Sequence, residues 1–558
     1  MKGSRILIES LLKEGVEVIF GYPGGSVIPL FDSLYDAPIK FILTRHEQAA
    51  AHAADGYARV TGKVGVCLAT SGPGATNLTT GIATAHMDSI PMVVITGQVK
   101  TSLIGNDAFQ EADVIGITRS ISKYNYLVKD IKDLAYTIRE AFYIAASGRP
   151  GPVVIDVPVD IQTQEAEFKY FDKIEIRSYR PTHLGHPGQI RKALKLIYQS
   201  KKPVIIAGGG VIISGANQEL LKFVEDTDIP VTETFMGLGG FPSTHKLSLG
   251  MPGMHGTVYA NMAITESDLL VSIGCRFDDR VTGKIEAFAP GAKIIHIDID
   301  PTSISKNIKV DVPIVGDAKN ILEQLTEGID ESKIPDFGPW HKNIQDWKKK
   351  NPLRYETSKR GKIKPQQVIE EIYAQTKGTA VIVTEVGQNQ MWAAQFYKFD
   401  YPRHFLSSGG LGTMGFGFPA AIGAKLAKPS QEVILIAGDG SIQMNIQELA
   451  TVSTYGVNVK VVILNNYCLG MVRQWQELFY NRRYSGTPLK NPDFVKVAQG
   501  YGIKGLRVEK PENVKSAVKK IISSNEPVVA DFRIEEEENV FPMVPAGEAI
   551  NRMIGGMA

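Results

Sequence analysis

Short runs of β-branched and other apolar residues alternate along the chain with longer stretches in which apolar positions recur every three or four residues. The first kind fits strands buried on both faces, the second helices that cover them, and the alternation predicts parallel α/β layers. In the first third, strands are predicted at Val16–Phe20, Lys40–Leu43, Val64–Ala69, Met92–Thr96 and Val153–Val157. A polar, poorly periodic stretch from about Gln162 to Gly188 reads as a linker. A second block follows, with strands near Val204–Ala207, Leu269–Gly274 and Lys293–Asp298, and the polar stretch Gly328–Pro365 reads as another linker. The third block has strands near Ala380–Thr384, Val433–Ala437, Val459–Leu464 and Val528–Phe532. Three doubly wound α/β domains are expected, at residues 1–165, 186–330 and 366–540. The first and third are similar in size and rhythm, without a short tandem repeat.

Composition narrows the classes. Of 558 residues, 43% are apolar, enough for large cores and incompatible with a disordered chain. The 61 Lys+Arg against 59 Asp+Glu leave a formal charge of +2, so bulk electrostatics favour neither nucleic acid nor an anionic membrane. No apolar run approaches the roughly 18 residues needed to span a bilayer. The first helical stretch is interrupted by Glu9, Lys13 and Glu14, unlike a signal peptide. Cys67, Cys275 and Cys468 are far apart and form no metal-ligand spacing, which fits a reducing, cytoplasmic compartment.

The strongest local signal lies in the third block. The strand ending at Ala437 runs into Gly438-Asp439-Gly440 and then a helix, and the next strand ends in Asn465-Asn466. In a parallel sheet this puts Asp439 and Asn466 at the carboxyl ends of two strands, where such folds bind ligands. A carboxylate and an amide oxygen suit a hard cation such as Mg²⁺, which keeps positions open for phosphate. Gly438 and Gly440 allow close backbone approach to a diphosphate, and the helix from Ser441 directs N–H groups at it.

In the first block, Arg45-His46-Glu47-Gln48 follows a strand and opens an alanine-rich helix. Glu47 lies on the same stripe as Ala50, Ala53, Ala54, Tyr57 and Ala58. Read alone, Glu47 is a helix cap, a partner of Arg45, or a carboxylate needing a ligand on an interior face. Gly410, Gly412 and Gly415 match the dinucleotide fingerprint G-x-G-x-x-G, a weak signal where no clear strand precedes it.

Gly438-Asp439-Gly440 with Asn465-Asn466 resembles the cofactor motif of thiamine-diphosphate enzymes. The resemblance spans nearly the whole chain. It is closest to the catalytic large subunit of biosynthetic acetohydroxyacid (acetolactate) synthases. Five separated segments carry it: Ile104–Glu111, Met254-His255-Gly256, Arg276–Gly283, Gly387–Trp392 and Gly470–Gln476.

The resemblance implies pyrimidine-binding, central FAD-binding and diphosphate-binding domains. It implies Mg²⁺ held by Asp439, Asn466 and the carbonyl of Cys468. Thiamine diphosphate would be taken by Gly387, Gln388, Gly440, Ser441, Gly470 and Met471. The Gly412 and Met414 backbone would hold its aminopyrimidine, with the Met414 side chain as wedge. Glu47 would sit beside the aminopyrimidine and activate the cofactor, which serves as electron sink. In this family Glu47 and the metal motif meet across two subunits, implying a homodimer or dimer of dimers. FAD, in a structural role, would be held by Arg149, His255, Arg276, Asp298 and Asp317. The reaction implied is decarboxylation of pyruvate and addition of its two-carbon unit to pyruvate or 2-ketobutyrate, which starts branched-chain amino-acid synthesis.

Arg280 is the resemblance's candidate for the acceptor carboxylate, its fork suited to that anion. The bland alternative pairs it with Asp278 or Asp279. Trp475 resembles the indole that shapes the acceptor pocket, against a plain core tryptophan. Gln110 would contact substrate. Val159 departs from the family, where lysine is expected. A small regulatory subunit is an expected partner. The competing readings are pyruvate oxidase, a FAD-free catabolic acetolactate synthase, a silent paralogue and a nicotinamide dehydrogenase. The Asp107–Glu111 and Arg276–Gly283 segments argue against the first two, and the presence of Glu47 and Asp439 against the third.

Overall fold

The computed structural model describes residues 1–555. Three parallel sheets follow one another along the chain. The first comprises β1 (Val18–Tyr22), β2 (Lys40–Leu43), β3 (Gly65–Ala69), β4 (Met92–Gln98), β5 (Tyr124–Leu127) and β6 (Pro152–Pro158). Its spatial order is β2-β1-β3-β4-β6-β5. The second is built from β7 (Pro203–Ala207), β8 (Val231–Glu233), β9 (Leu269–Ile273), β10 (Lys293–Asp298) and β11 (Val312–Val315), ordered β11-β10-β9-β7-β8. The third holds β12 (Val381–Thr384), β13 (Phe405–Leu406), β14 (Val433–Gly438), β15 (Lys460–Asn465), β16 (Lys504–Val508) and β17 (Val528–Arg533), ordered β13-β12-β14-β15-β17-β16. The first and third sheets thus share one topology, the structural counterpart of their similar rhythm. Every residue of β3, β4 and β6 is buried, because helices cover both faces.

Each sheet has a central reversal of winding: between β1 and β3, between β7 and β9, and between β12 and β14. At such a reversal the connections leave in opposite directions, and a crevice opens beyond the strands' carboxyl ends.

Five strands escaped the sequence pattern: β5, β8, β11, β13 and β16. All are edge strands. An edge strand is bonded on one side only and carries polar residues, as in Tyr124–Leu127 and Lys504–Val508. β8 and β13 are also too short to show a period. The stretch Gly328–Pro365, expected to be a linker, contains the helix Gly338–Lys350. Trp340 and Ile344 bury its inner face in the second domain, and Trp340 Nε1 donates to the Pro203 carbonyl at 3.1 Å. The lysines that made it look solvated lie in its last turn, where they complement the helix dipole.

The first and third domains lock through the helices Glu47–Thr61 and Gly417–Ala427. A methyl on Gly56 would overlap the Ala420 carbonyl oxygen, and one on Gly423 that of Ala53. Gly423→Val is therefore expected to lower the urea unfolding midpoint, overpacking costing about 1–3 kcal/mol. Gly500→Ala, where nothing lies within 4 Å of the added methyl, is the neutral control.

Glu233, fully buried at the end of β8, folds the turn that seams the second domain to the third. Its Oε1 accepts from Gly239 N at 3.0 Å and Phe241 N at 2.9 Å, while Oε2 has no partner. Burial raises its pKa from 4.5 to about 8. The folded state thus binds a proton that the unfolded state releases. Its contribution is complete below about pH 4.5 and is lost as pH rises through about 8, at about 1.4 kcal/mol per unit. Glu233→Gln is expected to flatten the fall of the thermal midpoint over that window.

Candidate active site

The third sheet's crevice gathers the predicted metal ligands. Asp439 is the first residue of a helical turn after β14, and Asn466 follows β15. Both are buried. One end of the Asn466 side-chain amide lies 3.1 Å from Asp439 Oδ1 and 3.0 Å from the Cys468 carbonyl oxygen, and the other end 3.2 Å from Gln388 Oε1. With its nitrogen inward the amide bridges the two oxygens by hydrogen bonds; turned with its oxygen inward it completes three oxygen donors, the kind of set a hard cation takes. Among the described residues no cluster of three His, Cys, Asp or Glu could hold a metal. Burial raises the Asp439 carboxyl to about 6 and the Cys468 thiol to about 12, so the thiol stays protonated.

Three helices begin around this cluster, at Gln388, Asp439 and Gly470. A methyl on Gly470 would overlap Gln388 Oε1 and come within 2.8 Å of Asn466 Nδ2. Gly387 takes φ +142°, a backbone region open to glycine. Ser441 is buried, its Oγ donating to the Gly438 carbonyl at 3.3 Å. Converging helix N-termini present free N–H groups to a diphosphate. A methyl on Gly440 would lie 3.8 Å from Met414 Cε, so the Met414 side chain overhangs this floor.

Beside the cluster opens a cavity of about 660 Å³. Its wall includes nine predicted residues: Arg149, His255, Arg276, Arg280, Asp298, Asp317, Gly412, Met471 and Trp475. Its base is the β7–β9 crevice, where Gly208 and Gly210 pack against the Gly274 backbone. The volume and the paired cationic and carboxylate groups suit a nucleotide-sized ligand. His255 is held neutral by burial, its pKa lowered to about 4, and its buried Nδ1 has no partner. Burial raises Asp298 to about 6. Asp317 also caps the helix Ala318–Gly328, its Oδ1 accepting from Lys319 N at 3.0 Å. Arg149 NH1 pairs with Asp300 Oδ2 at 3.3 Å.

Arg280 is exposed and loosely held, 3.6 Å from Asp279 Oδ2 and 3.6 Å from Met254 Sδ. Such weak partners leave its fork available to an incoming carboxylate. Trp475 stands on the helix Gly470–Phe479, with Phe479 at 5.3 Å between ring centroids. The indole is half-buried at the cavity wall.

Glu47 and Gln110 do not line this cavity. They flank a separate turn in the first domain. Asn77 Nδ2 donates to Glu47 Oε2 at 3.0 Å, and Gly72 packs behind Gln110, which takes φ +59°. Beside Gln110, Phe109 is 88% exposed. The fingerprint glycines lie in the loop that joins the short strand β13, which the sequence did not show, to the helix Gly417–Ala427. Gly409 N and Gly410 N donate to Asp88 at 3.2 and 2.7 Å, and Gly412 takes φ +71°.

Similarity to known proteins places this architecture. The family model for the thiamine pyrophosphate enzyme N-terminal TPP binding domain matches residues 1–117, the central domain model 190–325, and the C-terminal TPP binding domain model 385–532. The acetolactate synthase large subunit of Haemophilus influenzae is 51% identical over 99% of this chain and 98% of its own. The probable acetolactate synthase large subunit of Methanocaldococcus jannaschii is 53% identical over 99% and 95%. The acetolactate synthase isozyme 3 large subunit of Escherichia coli is 48% identical over 99% and 98%. The chain belongs to the acetolactate synthase large-subunit family of thiamine pyrophosphate enzymes.

Two supporting residues lie outside the set the sequence singled out. Asn491 donates from Nδ2 to Asp439 Oδ2 at 2.6 Å and to Asn465 Oδ1 at 3.0 Å, from a loop 52 residues away. Glu385 is fully buried and accepts from Gly415 N at 2.8 Å and Phe418 N at 2.9 Å, shaping the loop that carries Met414. Its place just after β12 is the one signal that points to it. Asn491→Ala is expected to weaken divalent-cation affinity about 10–100-fold, the usual effect of losing a ligand's outer partner. Cation titration followed by tryptophan fluorescence reads it.

Proposed function

We propose that this chain is the catalytic subunit of an acetolactate synthase that joins the two-carbon unit of pyruvate to pyruvate or 2-ketobutyrate. The observation that carries the reading is the gathering of Asp439, Asn466 and the Cys468 carbonyl at three helix starts, one of which sends Met471 and Trp475 to the wall of the cavity that also presents Arg280. The domain bounds 1–165, 186–330 and 366–540 belong to this proposal.

Asp439, Asn466 and the Cys468 carbonyl hold Mg²⁺. Gly387, Gln388, Gly440, Ser441, Gly470 and Met471 take the diphosphate. Gly412 and Met414 hold the pyrimidine ring. Bound thiamine diphosphate supplies the carbon nucleophile and electron sink for decarboxylation. Glu47 of a second copy holds a proton at the pyrimidine nitrogen, the arrangement that the family resemblance implies. Gln110 and Phe109, on the same face as Glu47, border the substrate. Arg280 clamps the acceptor carboxylate bidentately, fixing the keto carbon toward the nucleophile. Trp475 walls the acceptor side chain and favours the larger acceptor by about 1–3 kcal/mol per methylene. Arg149, His255, Arg276, Asp298 and Asp317 hold FAD, whose redox chemistry the net reaction does not use.

The assembly proposed is a homodimer or dimer of dimers in the cytoplasm. A small regulatory subunit accompanies it, since the relatives are named large subunits. Among the described residues no helix is long and apolar enough to cross a membrane.

Acetolactate formation from pyruvate, with each cofactor omitted in turn from stripped enzyme, tests the reading. Product is expected to vanish without thiamine diphosphate, Mg²⁺ or FAD. Indifference to FAD would instead favour a catabolic-type enzyme. Trp475→Leu is expected to lower the preference for 2-ketobutyrate over pyruvate about tenfold or more, read from product ratios in mixed substrate.

A further inference from the structure

The turn that delivers Glu47 is carried by the third domain of its own chain. Glu448, with no exposed surface, accepts from Arg45 N at 2.9 Å through Oε1 and at 3.2 Å through Oε2. Thr451 Oγ1 holds the same carboxylate at 2.6 Å. The neighbouring turn of helix completes the clasp. Leu43 N donates to Tyr455 Oη at 2.9 Å, and Arg45 NH2 to Thr454 Oγ1 at 3.2 Å. His46 then caps the helix whose first residue is Glu47, its Nδ1 accepting from Gln48 N at 3.1 Å.

This placement is unusual for a buried carboxylate. Glu448 sits at the N-terminus of a fifteen-residue helix that belongs to another domain, where a negative group is favoured by the helix dipole. The helix body cannot shift to compensate, because Gly56 and Gly423 lock it against the helix Gly417–Ala427. The direction of Glu47 is therefore decided at its first turn. That turn rests on Glu448, which ends the segment Gln443–Glu448 that continues from Asp439.

We propose that Glu448 is a positioning residue for Glu47. It rests on the reading above, in which Glu47 activates thiamine diphosphate in a second copy. A chain's own diphosphate-binding domain would then set the aim of the carboxylate it lends to its partner.

The test measures deuterium exchange of the thiazolium C2 proton in substrate-free holoenzyme, alongside thiamine diphosphate affinity and oligomeric state. Glu47→Gln, Glu448→Ala and Glu448→Asp are compared. Aspartate keeps the charge but withdraws it by one methylene, so it decides the matter if the alanine variant fails to fold. A misdirection of about 1 Å is expected to slow exchange up to about 100-fold in Glu448→Ala, with Glu448→Asp also slowed. Cofactor affinity and assembly should stay unchanged. Slow exchange in Glu47→Gln together with parental exchange in the folded Glu448 variants would overturn the proposal. Loss of cofactor affinity or of assembly in parallel with exchange would overturn it too, assigning Glu448 a merely structural role. Parental exchange in Glu47→Gln would instead overturn the activator role itself.

Discussion

The seam between the helices Glu47–Thr61 and Gly417–Ala427 is the constraint on which the rest of the molecule depends. Small residues bring the two backbones into contact, and Arg59 is buried at the seam. It pairs with Asp55 and, at 2.8 Å, with Asp88, and its NH1 donates to the Ser407 carbonyl at 2.9 Å. A guanidinium so enclosed is stable only with its carboxylates in place, and removing one partner of such a pair typically costs about 3–5 kcal/mol. Asp88 then uses its remaining acceptor capacity on Gly409 N and Gly410 N. The first domain thereby fixes the loop from which the third domain presents Gly412 and Met414. Arg403 extends the junction to the second domain, donating to the Arg59 and Ile212 carbonyls.

From that seam the chemistry follows topology. Parallel sheets leave free groups at the carboxyl ends of their strands, and the crevice opens where the winding reverses. The third sheet fills it with an oxygen cluster and helix N-termini, the second with a glycine turn beneath the large cavity. The first carries Glu47 and Gln110 outside that cavity.

Much of this was legible in the sequence because the informative features are local. A strand buried on both faces is a continuous apolar run, and all the interior strands were found that way. Asp439 and Asn466 each follow such a run directly, so strand-end logic alone brings them together. Five of the six edge strands were missed, because a short or singly bonded segment carries little apolar signature; β2, at Lys40–Leu43, was the one found. The helix Gly338–Lys350 was missed because its lysine-rich end hid Trp340 and Ile344.

By itself the sequence determined three parallel α/β domains, the placement of Asp439 and Asn466 at neighbouring strand ends and, through resemblance, the family. Those follow from periodicity and from residues adjacent to strand ends, information carried within a few positions. Only the tertiary structure decided that Asn491 steadies Asp439, that Asp88 holds the Gly409–Gly410 loop, and that Glu448 carries the Arg45–Glu47 turn. Each is a hydrogen bond between segments far apart in the chain, formed because close packing of separate elements fixes the distance. No local pattern of residues encodes such a distance.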